Sequence, residues 1–280
     1  MKRLLIATDL SSRSERALAR ALRLMRQHGA ELRVCHVVDD ALPAHLAEAQ
    51  KAAAESILKE RIQALASDAG ASVSTAVVIG KPFAAIVHEA IEGSAELIVV
   101  GAHRGGAEGM FRGSTAERVI REGHCPVLVV RRDADADYRQ AVVGVDFSLH
   151  SRWAARAGFR LAPQAEFCLV HSYIAPTSLI LADHLRAQAR ELQVQEMNRT
   201  IEEELSAFLA RLGDRLPPHK RLVTTGAASE VLLDLAGELS ADLIVAGTHG
   251  RTGVAHALLG SVAEDLLRQA HCDVLVAKAW

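Results

Sequence analysis

The stretch Leu243-Ile244-Val245-Ala246-Gly247-Thr248-His249-Gly250-Arg251-Thr252-Gly253 begins as an apolar run and turns into a glycine-rich loop. The loop continues through Val254-Ala255-His256-Ala257-Leu258-Leu259 to Gly260-Ser261, where a helix-like stretch opens. A short, continuous run of branched residues reads as a strand buried on both faces, which is the mark of a parallel sheet covered by helices. Glycines after such a strand let the backbone come close to a ligand and let its N–H groups converge on an anion. The helix that follows adds free N–H groups and a positive dipole end, which favour phosphate.

This unit is written twice. Ala95-Glu96-Leu97-Ile98-Val99-Val100-Gly101 answers Ala241-Asp242-Leu243-Ile244-Val245-Ala246-Gly247, and Gly113-Ser114 answers Gly260-Ser261. Outward from the loop the pairing goes on. Asp9-Leu10-Ser11 matches Asp146-Phe147-Ser148, and Val34-Cys35-His36-Val37 matches Leu169-Val170-His171-Ser172. Gly80 matches Gly226, and His124-Cys125-Pro126 matches His271-Cys272-Asp273. Solenoid repeats have periods of about 20–50 residues, so a period near half the chain is a duplicated domain. The polar, aperiodic run Arg132-Asp133-Ala134-Asp135-Ala136-Asp137-Tyr138-Arg139 reads as the linker. It divides the chain into a first domain over 1–132 and a second over 140–280.

Each half alternates strand and helix. In the first, the pattern predicts strands near 3–8, 31–38, 72–79, 96–101 and 126–131, and helices near 12–28, 43–69, 82–93 and 114–123. In the second half, Met197, Ile201, Leu205, Phe208 and Leu212 recur at helical spacing and share one face. Strand–helix alternation gives an α/β fold with right-handed crossovers, here two tandem doubly wound domains. In such a sheet, ligands bind beyond the C-terminal strand ends, where the winding reverses. Asp146 follows a first strand and Gly247 ends a fourth, so both face that crevice if the two strands are neighbours.

Bulk properties exclude several classes. The chain has 280 residues, 50% hydrophobic and 24% charged, with a net charge of −2. That balance supplies no field to draw the molecule to nucleic acid or to an anionic membrane. Leu4-Leu5-Ile6-Ala7 is too short for a signal-peptide core, and no apolar run approaches the roughly 18 residues of a membrane span. The four cysteines, Cys35, Cys125, Cys168 and Cys272, show no Cys-x-x-Cys spacing and fit a reducing cytoplasm.

Simpler readings stand beside the functional ones. Ser114-Thr115-Ala116-Glu117 and Ser261-Val262-Ala263-Glu264 are both capping boxes by sequence, so each serine reads as a helix cap as well as a phosphate contact. Asp9 and Asp146, each two residues before a serine, also read as local turn or cap residues. His36 and His171 end an inner strand and read as structural, whereas His103 and His249 lie nearer the phosphate loop. His124-Cys125 and His271-Cys272 are adjacent pairs, whereas zinc sites use spaced ligands. No strand three ends in the acidic residue that a receiver domain requires, since the first half has Val78-Ile79-Gly80 there.

The pattern Gly-x-x-Gly, nine residues, Gly-Ser is complete over 247–261. With Asp146 and the Val170-His171 strand end, it resembles the universal stress protein family across nearly the whole chain, as two tandem copies. The resemblance implies a five-stranded parallel sheet of order 3-2-1-4-5, flanked by helices, in each domain. It implies ATP, ADP or AMP held between the Asp loop and the Gly loop, with Mg²⁺ accompanying the phosphates. It carries a nucleoside contact to Asp146 and a backbone contact to adenine to Ser172. Gly247 and Gly250 then lie along ribose and phosphates with His249 nearby, and Gly260, Ser261 and Val262 receive the phosphate tail. It also implies that the last strands of the two halves pair as a built-in pseudo-dimer, with a larger homodimer remaining open. The first half keeps Asp9, Val37, Gly101, Gly113 and Ser114 as weaker nucleotide candidates. Its loop is one residue short, lacks the counterpart of Gly250, and places Arg112 where the second has Leu259, so that Arg112 either stands in for ligand in an empty site or pairs with a phosphate and rescues binding. The reading is a stress-response nucleotide-binding protein with a signalling role, loaded mainly in the second half. No residue set resembles a general base aimed at water, so catalysis is expected to be absent or limited to slow ATP hydrolysis. A slow ATPase and a nucleotide-free interaction scaffold are the alternatives.

Overall fold

The computed structural model describes residues 1–66, 72–102, 113–174, 187–213, 216–250 and 259–279. The first half runs β1 (Arg3–Thr8), α1 (Ser12–His28), β2 (Glu31–Val38), α2 (Ala44–Ala66), β3 (Val73–Ile79), α3 (Pro82–Glu92), β4 (Leu97–Gly101), α4 (Thr115–Glu122) and β5 (Val127–Val130). The second runs β6 (Gln140–Gly144), α5 (Leu149–Leu161), β7 (Glu166–Tyr173), α6 (Ala187–Ala210), β8 (His219–Thr225), α7 (Ala228–Glu238), β9 (Leu243–Gly247), α8 (Ser261–Gln269) and β10 (Asp273–Ala277). Local chemistry sets the ends of these elements. The Ser11 hydroxyl accepts from Ser14 N–H to start α1, and Gly29, at φ 59°, closes it in the left-handed conformation.

All ten strands form one sheet in the order β3-β2-β1-β4-β5-β10-β9-β6-β7-β8. Neighbours within each half are parallel, whereas β5 and β10 pair antiparallel, with Val129 opposite Val274, Leu128 opposite Leu275 and Val127 opposite Val276. Both faces carry an apolar layer that runs through both halves. One contains Leu18, Leu22 and Met25 of α1, Leu58 of α2, Leu161 of α5, and Leu205 and Phe208 of α6. The other contains Ile86 of α3, Val119 and Ile120 of α4, Leu232 of α7, and Leu266 and Leu267 of α8. Ile201, Leu205 and Phe208 of the predicted stripe are buried, while Met197 is half-buried and Leu212 falls just past the helix.

The linker is docked rather than loose. Arg16, Arg20 and Arg23 lie on one face of α1 and all reach it. Arg16 pairs with Asp133 at 3.0 Å, Arg20 donates to the Ala136 carbonyl at 2.7 Å, and Arg23 pairs with Asp137. At the centre sits Asp273, the first residue of β10, with 0% exposure. Its carboxylate accepts from the Tyr138 hydroxyl at 2.6 Å and from the backbone N–H groups of Arg131 at 2.7 Å and Arg132 at 3.0 Å, and it lies 3.3 Å from Arg20 Nε. The Arg20 guanidinium also sits over the Tyr138 ring, 4.3 Å from its centroid. Burial and the neighbouring Asp273 charge push the Tyr138 hydroxyl well above its usual range, so it stays a donor.

Removing one member of a buried ion pair strands the other charge, at a cost of about 3–5 kcal/mol. Asp273→Ala is therefore expected to lower unfolding stability by about that amount, read from the urea midpoint at constant slope. A loss below about 1 kcal/mol would mean that Arg20 finds water or another partner.

A nucleotide-sized pocket at the strand ends

Both halves present a crevice where the winding reverses. After β1 and β6 the chain turns onto one face of the sheet, and after β4 and β9 it turns onto the other. In the second half this opens a pocket of about 410 Å³, lined by Asp146, Ser172, Gly247, His249, Gly250, Gly260, Ser261 and Val262, with Ser151, Leu232, Thr248 and Leu259 among the other walls. All eight residues singled out from the sequence meet there. In the first half a pocket of about 470 Å³ gathers Asp9, Val37, Gly101, Gly113 and Ser114, together with Thr8, Ser14, Cys35 and Ile86.

Each aspartate is aimed by the residue after it. Leu10 and Phe147 both sit at φ 63°, a left-handed kink that non-glycine residues rarely adopt. Oδ1 of Asp146 then accepts from Ser148 N–H at 3.0 Å. A Cβ on Gly250 would stand 2.9 Å from the other carboxylate oxygen, Oδ2, so the Asp loop and the Gly loop touch. Asp9 is more strongly tied down, because its Oδ1 accepts from both the backbone N–H (3.0 Å) and the hydroxyl (2.5 Å) of Ser11. Burial alone would raise its carboxyl, but those Ser11 bonds outweigh it and hold the pKa below the usual value. His171 Nδ1 donates to the Val145 carbonyl at 2.7 Å and His36 Nδ1 to that of Thr8 at 2.9 Å, so both fasten the second strand to the end of the first, in a structural role.

The two helix starts differ, which corrects the reading of two equivalent capping boxes. Ser114 caps α4: its hydroxyl accepts from Glu117 N–H at 3.1 Å, and the Glu117 carboxylate takes the N–H of Gly113, at φ 81°. In α8 the capping position falls one residue earlier, on Gly260, and no side chain caps the helix. Gly260 N–H goes instead to the Thr248 carbonyl at 2.8 Å. The second half thus ties Gly260 back to the end of β9 and starts the helix at Ser261. The expectations for His103, Arg104, Gly105, Gly106 and Arg112, and for Arg251, Thr252 and Gly253, fall outside the described residues.

Sequence reasoning missed Thr248 and His150. Thr248 is 2% exposed, its hydroxyl 3.1 Å from His249 Nδ1 and 3.4 Å from His150 Nδ1. His150 Nδ1 accepts the Ala279 N–H at 3.0 Å, and the two imidazole rings lie 5.4 Å apart. These contacts join positions far apart in the chain, and no local spacing announces them.

Cys35, Cys125 and Cys272 are buried and the Cys168 thiol is partly exposed; none of the four is in a disulfide. Burial pushes Cys35, Cys125 and Cys272 up to about 12, which keeps them as thiols and makes them poor nucleophiles. Among the described residues there is no cluster of three His, Cys, Asp or Glu able to hold a metal ion, and no helix is long and apolar enough to cross a membrane.

With this geometry in view, known proteins give a family. The sequence profile of the universal stress protein family matches residues 1–131 and again residues 137–278. The chain belongs to the universal stress protein family. A universal stress protein of Mycobacterium tuberculosis is 29% identical over 223 residues, covering 77% of this chain and 72% of its own. Universal stress protein E of Escherichia coli is 27% identical over 223 residues, covering 75% of this chain and 70% of its own. A crystal structure of a universal stress protein from Archaeoglobus fulgidus superimposes with a TM-score of 0.71 at 21% identity, over 99% of this chain and 98% of that one, and shows the same fold. The family places the chain in a stress-response class.

Gly247 lines the pocket, but packing alone explains why it is glycine. A Cβ there would lie 2.9 Å from both the His150 carbonyl carbon and the Ser151 nitrogen, backbone atoms that cannot step aside. Overpacking of this kind costs about 1–3 kcal/mol, so Gly247→Ala should lose that much stability in ligand-free protein. An unchanged urea midpoint would show that β9 and α5 separate freely.

Proposed function

We propose that the second half binds an adenine nucleotide, with ATP as the fullest match, and that binding serves signalling rather than metabolic turnover. The observation that carries this reading is the meeting of Asp146, the β7 end at Ser172, the Gly247–Gly250 turn and the uncapped start of α8 in one pocket. The Asp146 carboxylate accepts from a sugar hydroxyl or an amino group. The backbone at Ser172 contacts adenine. Gly250 lets the loop lie against Asp146, and the N–H groups of Ser261 and Val262, at the positive end of α8, take the phosphates with their Mg²⁺. His249 stands beside that end. The functional units are 1–132 and 140–280, joined as a pseudo-dimer through β5 and β10. Four cysteines outside any disulfide suit the reducing cytoplasm.

The first half is the weaker site. Its helix start is already served by Ser114, whose hydroxyl accepts from Glu117 N–H, and the Gly113 N–H is taken by the Glu117 carboxylate. Asp9 is likewise committed to Ser11.

Titration of ATP by calorimetry is expected to give one nucleotide per 30.0 kDa chain. Loss of a charge-assisted hydrogen bond is worth about 1.5–3 kcal/mol, so Asp146→Ala should weaken ATP roughly tenfold or more. Asp9→Ala should change it by less than about twofold. Two equal sites would overturn the asymmetry. Absence of binding by ATP, ADP and AMP alike would leave an interaction scaffold, and turnover that falls with Asp146→Ala would make the protein an ATPase.

A further inference from the structure

Each pocket helix is gripped at its far end by a cation from the opposite half. The last carbonyls of a helix have no partner within it and carry the negative end of its dipole. In α8 one of these is the Leu267 carbonyl, and it accepts from the Arg131 guanidinium, the residue that follows β5 of the first half. In α4 the Arg121 carbonyl accepts from Lys278 Nζ at 2.7 Å, and Lys278 follows β10 of the second half. Arg131 and Lys278 hold equivalent places in the repeat, so the contacts are exchanged across the β5–β10 seam.

The setting of the two grips differs. Arg131 is fixed through its backbone, whose N–H donates to the buried Asp273 carboxylate at 2.7 Å. The Lys278 ammonium is partly withdrawn from water, and that desolvation lowers its pKa despite the opposing pull of Glu122. The helix between grip and pocket is short: α8 has 9 residues, about 13 Å of rise. A helix this short does not form unaided; the packing of Ala263, Leu266 and Leu267 on the sheet holds it, and contacts at its two ends add to that hold. A cation at the C-terminus and an anion at the N-terminus both act on the same dipole and the same rigid body.

We propose that Arg131 is a positioning residue for the phosphate end of the second-half pocket, with Lys278 in the equivalent role for the first, so that each half sets the anion affinity of the other. The nucleotide part of this rests on the function proposed above. The coupling itself concerns only Arg131 and α8, and it is visible without ligand.

The test uses the full chain with Arg131→Gln, Arg131→Lys and Tyr138→Phe. Tyr138→Phe removes a bond to Asp273 in the same seam but leaves the grip on α8, so it controls for seam stability. Charge interactions at a helix terminus predict that Arg131→Gln weakens ATP binding roughly three- to tenfold, with Arg131→Lys largely restoring it and Tyr138→Phe leaving it unchanged. In ligand-free protein, the α8 amides are expected to exchange with deuterium faster in Arg131→Gln than in Tyr138→Phe at matched stability. If the unsubstituted chain binds no nucleotide, the function fails, and the exchange experiment still decides the coupling. Equal α8 exchange in the two variants, or equal loss of ATP affinity, would overturn it.

Discussion

The structure depends on the pairing of two apolar edges. Val127–Val130 and Asp273–Ala277 are buried along their whole lengths, and without each other both would end a sheet with unpaired backbone groups and bare aliphatic side chains. Such an edge invites any passing strand. Antiparallel pairing of β5 with β10 satisfies both at once and leaves β3 and β8 outermost. Those two suit the position: β8 carries His219, Lys220 and Arg221, and most residues of both remain at least partly exposed. From this single ladder follow the apolar layers shared by both halves, the buried Asp273 beside it and the exchanged grips of Arg131 and Lys278.

The pockets follow from winding rather than from the loops alone. Because α1 and α4 leave neighbouring strands toward opposite faces, the ends of β1 and β4 are uncovered, and the same holds for β6 and β9. Each half accordingly has a cavity of comparable volume at these strand ends. What differs is chemistry at the rim. In one half the helix start is answered by its own serine and glutamate. In the other, Gly260 holds the capping position with no side-chain cap, beside the Asp146 carboxylate that faces the glycine turn.

Much of this was legible in the sequence because its signals are local. Buried parallel strands announce themselves as short aliphatic runs, and the predicted boundaries fall within a residue or two of those observed for β1, β2, β4 and α1. Asp146, Ser172 and the Gly247–Ser261 loop could be assigned to one crevice because the family resemblance implied the strand order, and the pattern fixes where each strand ends. The helix starts were harder. Ser114 and Ser261 stand in identical Ser-x-x-Glu contexts, yet one caps and the other does not, and there Gly260 takes the capping position and bonds to Thr248. Contacts such as His150 with Ala279, or Arg131 with Leu267, join segments more than a hundred residues apart. They depend on how two finished layers meet, and nothing in a local window encodes that. The linker was read as a polar connector, while Tyr138 within it is 3% exposed. Its burial depends on Arg20 and Asp273, which lie in different elements.

Asp273 also shows what covalent joining permits. Its counterpart in the first half is Pro126, and the residue equivalent to Arg20 in the second is Ala157. In an assembly of two identical chains, every charge placed in the shared seam would occur twice, once for each copy. One linked chain escapes that rule, so a single buried carboxylate can serve a single arginine without a duplicate nearby to repel it. The tether also fixes the local concentration of one half around the other in the millimolar range, whatever the protein concentration. Dilution, which separates ordinary subunits, leaves this seam intact. Each half is then free to carry residues that its twin lacks.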